Sequence, residues 1–232
     1  MQIPEKESVE LSIIMPCLNE ENTVGLSIEK AKRFMENNSV QGEIIIVDNA
    51  SEDTSAAVAK SHGARVISEP ERGYGNALRT GIANSRGKVI IMGDCDTTYD
   101  FEHLESMYSL LKDDKCDMVI GNRYAGGIDK GVMPWSHKWG VRFLSYLGRR
   151  RYHTDVYDFH CGLRGFTREA AEKLTLKASG MEFATELIAQ AAINNLRIMQ
   201  IPVRLSRCKQ DRKSKLRTVR DGFRHLRYII NS

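Results

Sequence analysis

No stretch of the 232 residues approaches the ~20 consecutive apolar residues that a helix needs to cross a bilayer. The chain as given is therefore not expected to span a membrane. The first ten residues are polar and acidic, without the charged start and apolar run of a secretory leader. Cysteine is sparse and odd in number: five residues at 17, 95, 116, 161 and 208, none in a Cys-x-x-Cys pair. That spacing excludes a disulfide framework and a paired-thiolate zinc site, and it points to a reducing, cytoplasmic setting. Proline, at five residues, marks no linker, and neither an internal repeat nor a low-complexity tract is present. With 41% hydrophobic and 28% charged residues the composition is that of a globular protein with a substantial core, not of a disordered chain. One large domain is expected rather than two small ones.

The charge is unevenly spread. Overall the chain carries +4, yet between Arg204 and Arg227 ten Lys and Arg stand against two Asp, a net +8 that leaves −4 for the remainder. Such a segment points to an anionic partner.

Apolar runs and turn signals alternate along the first ~95 residues, and they predict strands at residues 9–18, 43–47, 64–68 and 89–92. Helices are predicted between them, over residues 26–35, after a cap at Ser51 or Asp53, and over residues 77–84. A strand-helix rhythm of this kind specifies a parallel, doubly wound α/β sheet. Three of these strands end in acidic or polar loops, carrying Glu20, Asp48 and the pair Asp94 and Asp96. A parallel sheet gathers the carboxyl ends of its strands at one edge, where ligands bind. Two carboxylates one residue apart can share a divalent cation and leave its other positions to diphosphate oxygens and water. One acidic turn carries little weight, whereas several converging ones favour a cation-dependent nucleotide site.

Further on, the pattern predicts a helix over residues 101–111, a strand over 117–120, and a lid or substrate loop over 125–131. A helix over 134–148 brings Trp135, Trp139, Phe143 and Tyr146 near one face, as either a core-facing stripe or an interfacial surface. Arg149, Arg150 and Arg151 directly after it favour the interface. Residues 158–166 form a polar, glycine-containing cluster before a short helix capped by Thr167. Residues 181–194 read as a helix with Glu182 and Glu186 on one face, solvated or paired with the basic tail. Residues 197–205 read as a last strand, put at an edge by Pro202. Leu216, Val219, Phe223, Leu226 and Ile230, three and four residues apart, then predict a basic amphipathic helix. Of the histidines, His62, His103, His137 and His225 read as solvated or packed, and only His160 sits within a motif.

The motifs, taken in order, resemble family-2 glycosyltransferases of the GT-A fold, in the branch of dolichol-phosphate mannose synthase and bacterial polyprenyl-phosphate glucosyltransferases. The resemblance rests on Met15-Pro-Cys-Leu-Asn-Glu20, Val47-Asp-Asn-Ala-Ser-Glu-Asp53, Arg72-Gly-Tyr-Gly-Asn-Ala77 and Gly93-Asp-Cys-Asp96. Gly121-Asn-Arg-Tyr124, residues 158–164 and Ser214-Lys-Leu216 complete it, so that it covers nearly the whole chain. It implies a Rossmann-like, mostly parallel sheet flanked by helices, with a catalytic domain over residues 1–205 and a basic loop and membrane-associating helix over 206–232. It further implies that Pro16, Leu18, Glu20, Asp48, Ser51, Gly73, Asn76, Asp94, Cys95 and Arg212 hold the nucleotide, Asp48 accepting a hydrogen bond from the base. Asp94 and Asp96 would hold Mg²⁺ or Mn²⁺, and Asp96, Arg123, Asp158, Arg164 and Lys215 would serve catalysis. Where the family often has Gly-Ser-Arg-Tyr and Ser-Gly-Phe-Arg, this chain has Gly-Asn-Arg-Tyr and Cys-Gly-Leu-Arg, which leaves both arginines intact. The Gln-x-x-Arg-Trp motif of processive synthases is absent.

The implied activity is inverting transfer of a hexose from a nucleotide-sugar donor, UDP-glucose first and GDP-mannose second, to a polyprenyl or dolichyl phosphate acceptor. The implied location is the cytoplasmic face of the membrane, with the tail against its anionic surface. No nucleic-acid partner is expected. Packing of the tail against a second subunit is the alternative, so a homo-oligomer stays open. A sugar-nucleotide-forming nucleotidyltransferase is the competing enzyme reading, although the Gly-rich, Lys-bearing loop such enzymes use after the first strand is missing. A nucleic-acid-binding module would rest wholly on the basic tail.

Overall fold

The computed structural model describes residues 9–208 and 218–232. The first half of the chain alternates as the apolar runs require: β1 (Leu11–Cys17), α1 (Val24–Asn37), β2 (Gly42–Asp48), α2 (Ser55–Ser61), β3 (Arg65–Ser68), α3 (Tyr74–Asn84) and β4 (Val89–Met92). Then come α4 (Glu105–Lys112), β5 (Met118–Asn122), α5 (Arg123–Gly126), α6 (Trp135–Tyr152), β6 (Arg164–Thr167), α7 (Arg168–Lys173), α8 (Phe183–Ile193), β7 (Ile198–Pro202) and α9 (Thr218–Asn231).

The strands form one sheet in the order β3-β2-β1-β4-β6-β5-β7. All neighbours are parallel except those of β6, which runs antiparallel to both β4 and β5. Every residue of β4 is buried, as are Leu11 to Met15 of β1 and Ile44 to Val47 of β2. Covered on both faces, these strands read as continuous apolar runs rather than alternating ones. Full burial of one such side chain stabilises the fold by roughly 1.5–3 kcal/mol.

Register places the functional edge. Cys17 lies opposite Asp48, and Asp48 opposite Ser68, so the loops after β1, β2 and β3 leave the sheet together. The last residue of β4, Met92, pairs with Ile14, and the Gly93 amide donates to the Ile14 carbonyl at 3.1 Å. The acidic loops therefore converge as expected. Strand β6 belongs to the same edge for the opposite reason. Its first residue, Arg164, pairs with Met92 and with Ile120, so an antiparallel strand delivers its N-terminal flank where parallel strands deliver their C-terminal ends.

Several boundaries differ from the sequence pattern. Residues 158–166 are not only a polar cluster: their last part is β6, hidden because Arg164-Gly-Phe-Thr holds one large apolar residue. Thr167 caps α7 as expected, its hydroxyl accepting from the Ala170 amide. Helix α6 runs through Gly148 to Tyr152, because Gly148 meets the Phe159 ring so closely that a Cβ there would lie 2.5 Å from it. Helix α4 starts at Glu105 rather than at 101, and Pro202 does end an edge strand, β7.

Candidate active site

The loop after β4 presents two carboxylates in different settings. The Asp96 carboxylate is buried, and its Oδ1 accepts from the Thr98 amide at 3.0 Å. The intervening Thr97 adopts a left-handed backbone, φ 67°. Asp94 faces Gly162 so closely that a Cβ there would lie 2.7 Å from Asp94 Oδ2. Cys95 turns the other way: its thiol donates to the Pro16 carbonyl at 3.2 Å within the core, so it does not face the loop's ligand side. Among the described residues no cluster of three or more His, Cys, Asp or Glu could hold a metal ion. Two carboxylates with no further protein ligand are what Mg²⁺ or Mn²⁺ takes when substrate phosphates complete its shell. The chemistry of Asp94 and Asp96 thus fits such an ion.

The loops after β1 and β2 interlock through side chains. The Asn19 amide donates to Ser51 Oγ at 3.0 Å, and the Glu52 amide to Asn19 Oδ1 at 2.8 Å. Glu20 is buried; its amide donates to Ser55 Oγ at 2.7 Å, and its Oε2 accepts from Thr23. Asp48 Oδ1 accepts from the Ser51 amide at 3.3 Å. Pro16 and Leu18 are half-buried beside them. The Arg72 loop crosses over this pair, Arg72 bonding the Ala50 carbonyl and Glu52. Gly73 and Asn76 act within that loop: a Cβ on Gly73 would lie 2.2 Å from the Ser179 carbonyl, and the Asn76 amide side chain donates to the Glu71 carbonyl.

Arg123 and Asp158 form a buried pair across the edge. Arg123 Nε and Nη2 donate to the two Asp158 oxygens at 2.7 Å each, and the Arg123 backbone amide donates to Oδ2 at 3.1 Å. Asn122 caps the single turn of α5 through the Tyr124 and Ala125 amides, which fixes where Arg123 emerges. Arg164, fully buried, directs Nε, Nη1 and Nη2 at the carbonyls of Cys161, Ala184 and Phe159, each at 2.7 Å. Its charge is thereby fixed in the floor of the site. Arg212 and Lys215 lie outside the described residues.

Two spaces meet at Arg123. One is a chamber of about 150 Å³ walled by Asp94, Arg123, Arg164, Tyr74 and His160, and closed by α6 and by Asp221 and His225 of α9. Burial, and then the charge of Asp94, raises the Tyr74 phenol well above its ordinary pKa and keeps it a hydroxyl donor. The other is an open cleft of about 410 Å³ lined by Arg123, Ile128, Trp135, Lys138, Trp139 and Arg142. Helix α6 forms its outer wall. Trp135, Trp139, Phe143 and Tyr146 are 49–75% exposed, while Val141, Ser145, Gly148 and Tyr152 face inward. The core-facing reading of the aromatic stripe is therefore excluded.

Helix α9 packs on α6 and α8. It buries Asp221, His225 and Ile229 and leaves Phe223 and Ile230 exposed, so its inward face is largely polar. Arg224 pairs with Glu182 at 2.6 Å, one of the two partners expected for that carboxylate. Glu182 itself precedes α8, and Glu186 is buried, accepting from the Lys177 and Ala178 amides. Of the histidines read as solvated or packed, His225 and His137 instead line the chamber. Tyr74, Tyr99, Asp221 and His225 escaped the sequence reading. Tyr74 sat in a quoted motif, whereas the two α9 residues gave no signal beyond polarity at inward helical positions.

The sequence profile of Glycosyl transferase family 2 matches residues 12–175. The chain is 35% identical over 221 residues to the low-salt glycan biosynthesis hexosyltransferase Agl6 of Haloferax volcanii, with 95% of this chain and 53% of that protein covered. It thus spans about half the length of that relative. It is 29% identical to the dolichyl-phosphate beta-glucosyltransferase of Drosophila melanogaster, over 87% of this chain and 68% of the relative. In fold it is similar to glucosyl-3-phosphoglycerate synthase of Mycobacterium tuberculosis, solved with Mn²⁺ and UDP-glucose, at a TM-score of 0.73 and 22% identity over 95% of this chain and 77% of that one.

Proposed function

The chain belongs to glycosyl transferase family 2, and from that premise we propose that it transfers one hexose from a nucleotide sugar to the phosphate of a polyprenyl or dolichyl lipid at a membrane surface. The observation that carries this reading is the position of Arg123. Held by Asp158, it is a wall both of the chamber that contains Asp94 and of the cleft lined by Lys138, Arg142 and two tryptophans. Donor chemistry and a cationic, aromatic acceptor groove thus share one fixed guanidinium.

In this reading the interlocked loops carrying Glu20, Asp48 and Ser51 hold the nucleoside, and Asp94 and Asp96 would hold Mg²⁺ or Mn²⁺. The cation, when bound, neutralises charge developing on the departing diphosphate. A phosphate monoester has its second pKa near 6 and is largely dianionic at neutral pH, so it attacks the anomeric carbon without a dedicated base. One oxygen–carbon bond forms on the lipid phosphate as the bond to the nucleoside diphosphate breaks, with inversion. Arg123 stabilises charge on both sides of that exchange. The name of the Drosophila relative and the UDP-glucose complex of the structural neighbour support UDP-glucose as first donor; GDP-mannose is the second candidate.

The exposed aromatic face of α6, the exposed Phe223 and Ile230 of α9, and the run Arg149 to Arg151 support docking on an anionic membrane, the cytoplasmic leaflet in this reading. No described helix is long and apolar enough to cross one. The decisive experiment incubates the purified chain with Mn²⁺, labelled UDP-glucose or GDP-mannose, and a polyprenyl phosphate in vesicles. Label appearing in the lipid phase with one donor supports the proposal. Nucleotide-dependent stabilisation without transfer to any phosphorylated lipid would refute the acceptor assignment.

A further inference from the structure

The chamber beside Asp94 is closed by an element that lies beyond the matched family segment, since residues 12–175 match and α9 begins at Thr218. One of its wall residues carries polar atoms with nothing to bind inside the protein. Both ring nitrogens of His160 are buried without a hydrogen-bond partner, a costly arrangement for an imidazole unless something else bonds to it. The His160 ring meets that of His225 edge to face, centroids 4.3 Å apart, and His225 is positioned by a 2.8 Å contact between its Nδ1 and Thr185 Oγ1. Burial, and then mutual repulsion, lowers the His160 pKa far below its ordinary value, and burial brings that of His225 to about 4. Both rings are neutral at pH 7, so His160 offers one donor and one acceptor nitrogen, the pairing that a hydroxyl needs, and His225, its Nδ1 taken by Thr185, offers Nε2.

Two glycines strengthen the case. Gly140 of α6 and Gly222 of α9 both line the chamber, and a Cβ on either would meet nothing within 4 Å. A mid-helix glycine costs about 1 kcal/mol relative to alanine, and here packing inside the protein requires neither. Gly140 is exposed and Gly222 half-buried, so the two keep the chamber's rim open. The volume, about 150 Å³, is on the scale that holds one six-membered ring and is far too small for a lipid chain.

We infer that this chamber is the compartment for the donor's hexose, and that His160 with His225 of α9 reads the sugar's hydroxyls, so that donor-sugar specificity is set in part by a helix outside the family's matched segment. The inference rests on the donor-site reading given above, and it goes beyond it by naming which residues choose the sugar. A site built to hydrogen-bond a hydroxyl discriminates strongly against ligands that leave its polar groups unpaired.

The test is isothermal calorimetry with Mn²⁺ on the full chain, comparing UDP with UDP-glucose and UDP-galactose, and GDP with GDP-mannose. The variants are Gly140→Leu, Gly222→Leu and His225→Gln. The leucines fill open space and favour helix, and an unchanged melting midpoint verifies folding. The expected result is that each variant binds the bare diphosphate as the unmodified chain does, while the gain in affinity contributed by the hexose falls about ten-fold or more. A gain retained in both leucine variants, or no hexose-dependent gain in the unmodified chain, overturns the inference and leaves the nucleotide site standing. Absence of any nucleotide binding would instead overturn the donor-site reading on which it depends.

Discussion

Replacing Asp158 by asparagine keeps the shape of the Arg123 partner and removes its charge. In the folded chain Arg123 Nε, Nη2 and the backbone amide all donate to this carboxylate, at 2.7, 2.7 and 3.1 Å, and the two side chains are 8% and 0% exposed. An asparagine offers one acceptor oxygen and turns an NH₂ toward the guanidinium, leaving a buried cation uncompensated. Breaking a buried pair from one side costs about 3–5 kcal/mol, and in a domain of this size each kcal/mol lowers the melting midpoint by roughly 2–4 °C. D158N is therefore expected to melt roughly 6–20 °C lower in a calorimetric scan. The double variant Arg123→Met with Asp158→Leu removes both charges into apolar volume and is expected to recover most of that stability, while hexose transfer stays abolished. A loss below about 1 kcal/mol for D158N would refute the reasoning, because the pair would then be solvated or replaceable. So would a fully active double variant.

Asp96→Ala is expected to leave the melting midpoint of the free protein nearly unchanged and to remove the Mn²⁺-dependent part of the midpoint rise with UDP or GDP; a shift that persists in the variant would remove Asp96 from the ion's ligands. His225 faces Glu182, Arg164, Arg224 and His137, and its folded pKa is about 4 against 6.5 for a free imidazole. The unfolded chain then binds the extra proton between these values, so stability is full above pH 6.5 and declines as pH falls toward 4, by about 3 kcal/mol at most. Denaturant midpoints across that range should show the limb, to which the depressed His160 also contributes, and His225→Gln should remove only the His225 part of it. Trp139→Ser removes one large exposed apolar group from α6 and should weaken binding to anionic vesicles by roughly ten- to hundred-fold, corresponding to roughly 1.5–3 kcal/mol, without lowering the melting midpoint. Unchanged co-sedimentation would move the lipid contact elsewhere.

Strands β1, β2, β4 and β5 were legible because each is an apolar run buried along most of its length and stopped near a glycine, a proline or an acid, whereas β3, half-buried at the sheet edge, was legible from its Val-Ile pair between turn signals. Register then followed from topology, and the acidic loops had to converge. Strand β6 was not legible, since its buried arginine is satisfied by three carbonyls that only the folded edge supplies. The periodicity located α9, whose described span is Thr218–Asn231, and its apolar spacing gave Phe223 and Ile230 an outward face, which is exposed. What it did not give is the inward face, where Asp221 and His225 are buried beside Ile229, because that face borders a chamber and not a core. Cys95 sat in the right motif, yet alternation of side chains around the loop points it back at Pro16. Motif membership carries the loop and leaves the direction of each side chain to the backbone.

The reversal of β6 also bears on how such a protein can be altered. Because β5 exits the sheet at Asn122 and β6 re-enters it at Arg164 on the same edge, residues 123–163 form an excursion that leaves and returns without crossing the sheet. Its length, and the identity of α6 within it, do not set the strand order, and its start is tied to the segment after β7 only through the Ile128–Leu205 bridge and the close approach of Gly126 to Val203. A different acceptor wall could therefore be exchanged as a cassette, provided that Arg123 and Asp158 near its two ends stay clasped. The clasp would serve as the joint of a modular graft, and the donor loops on the far strands would carry over unchanged.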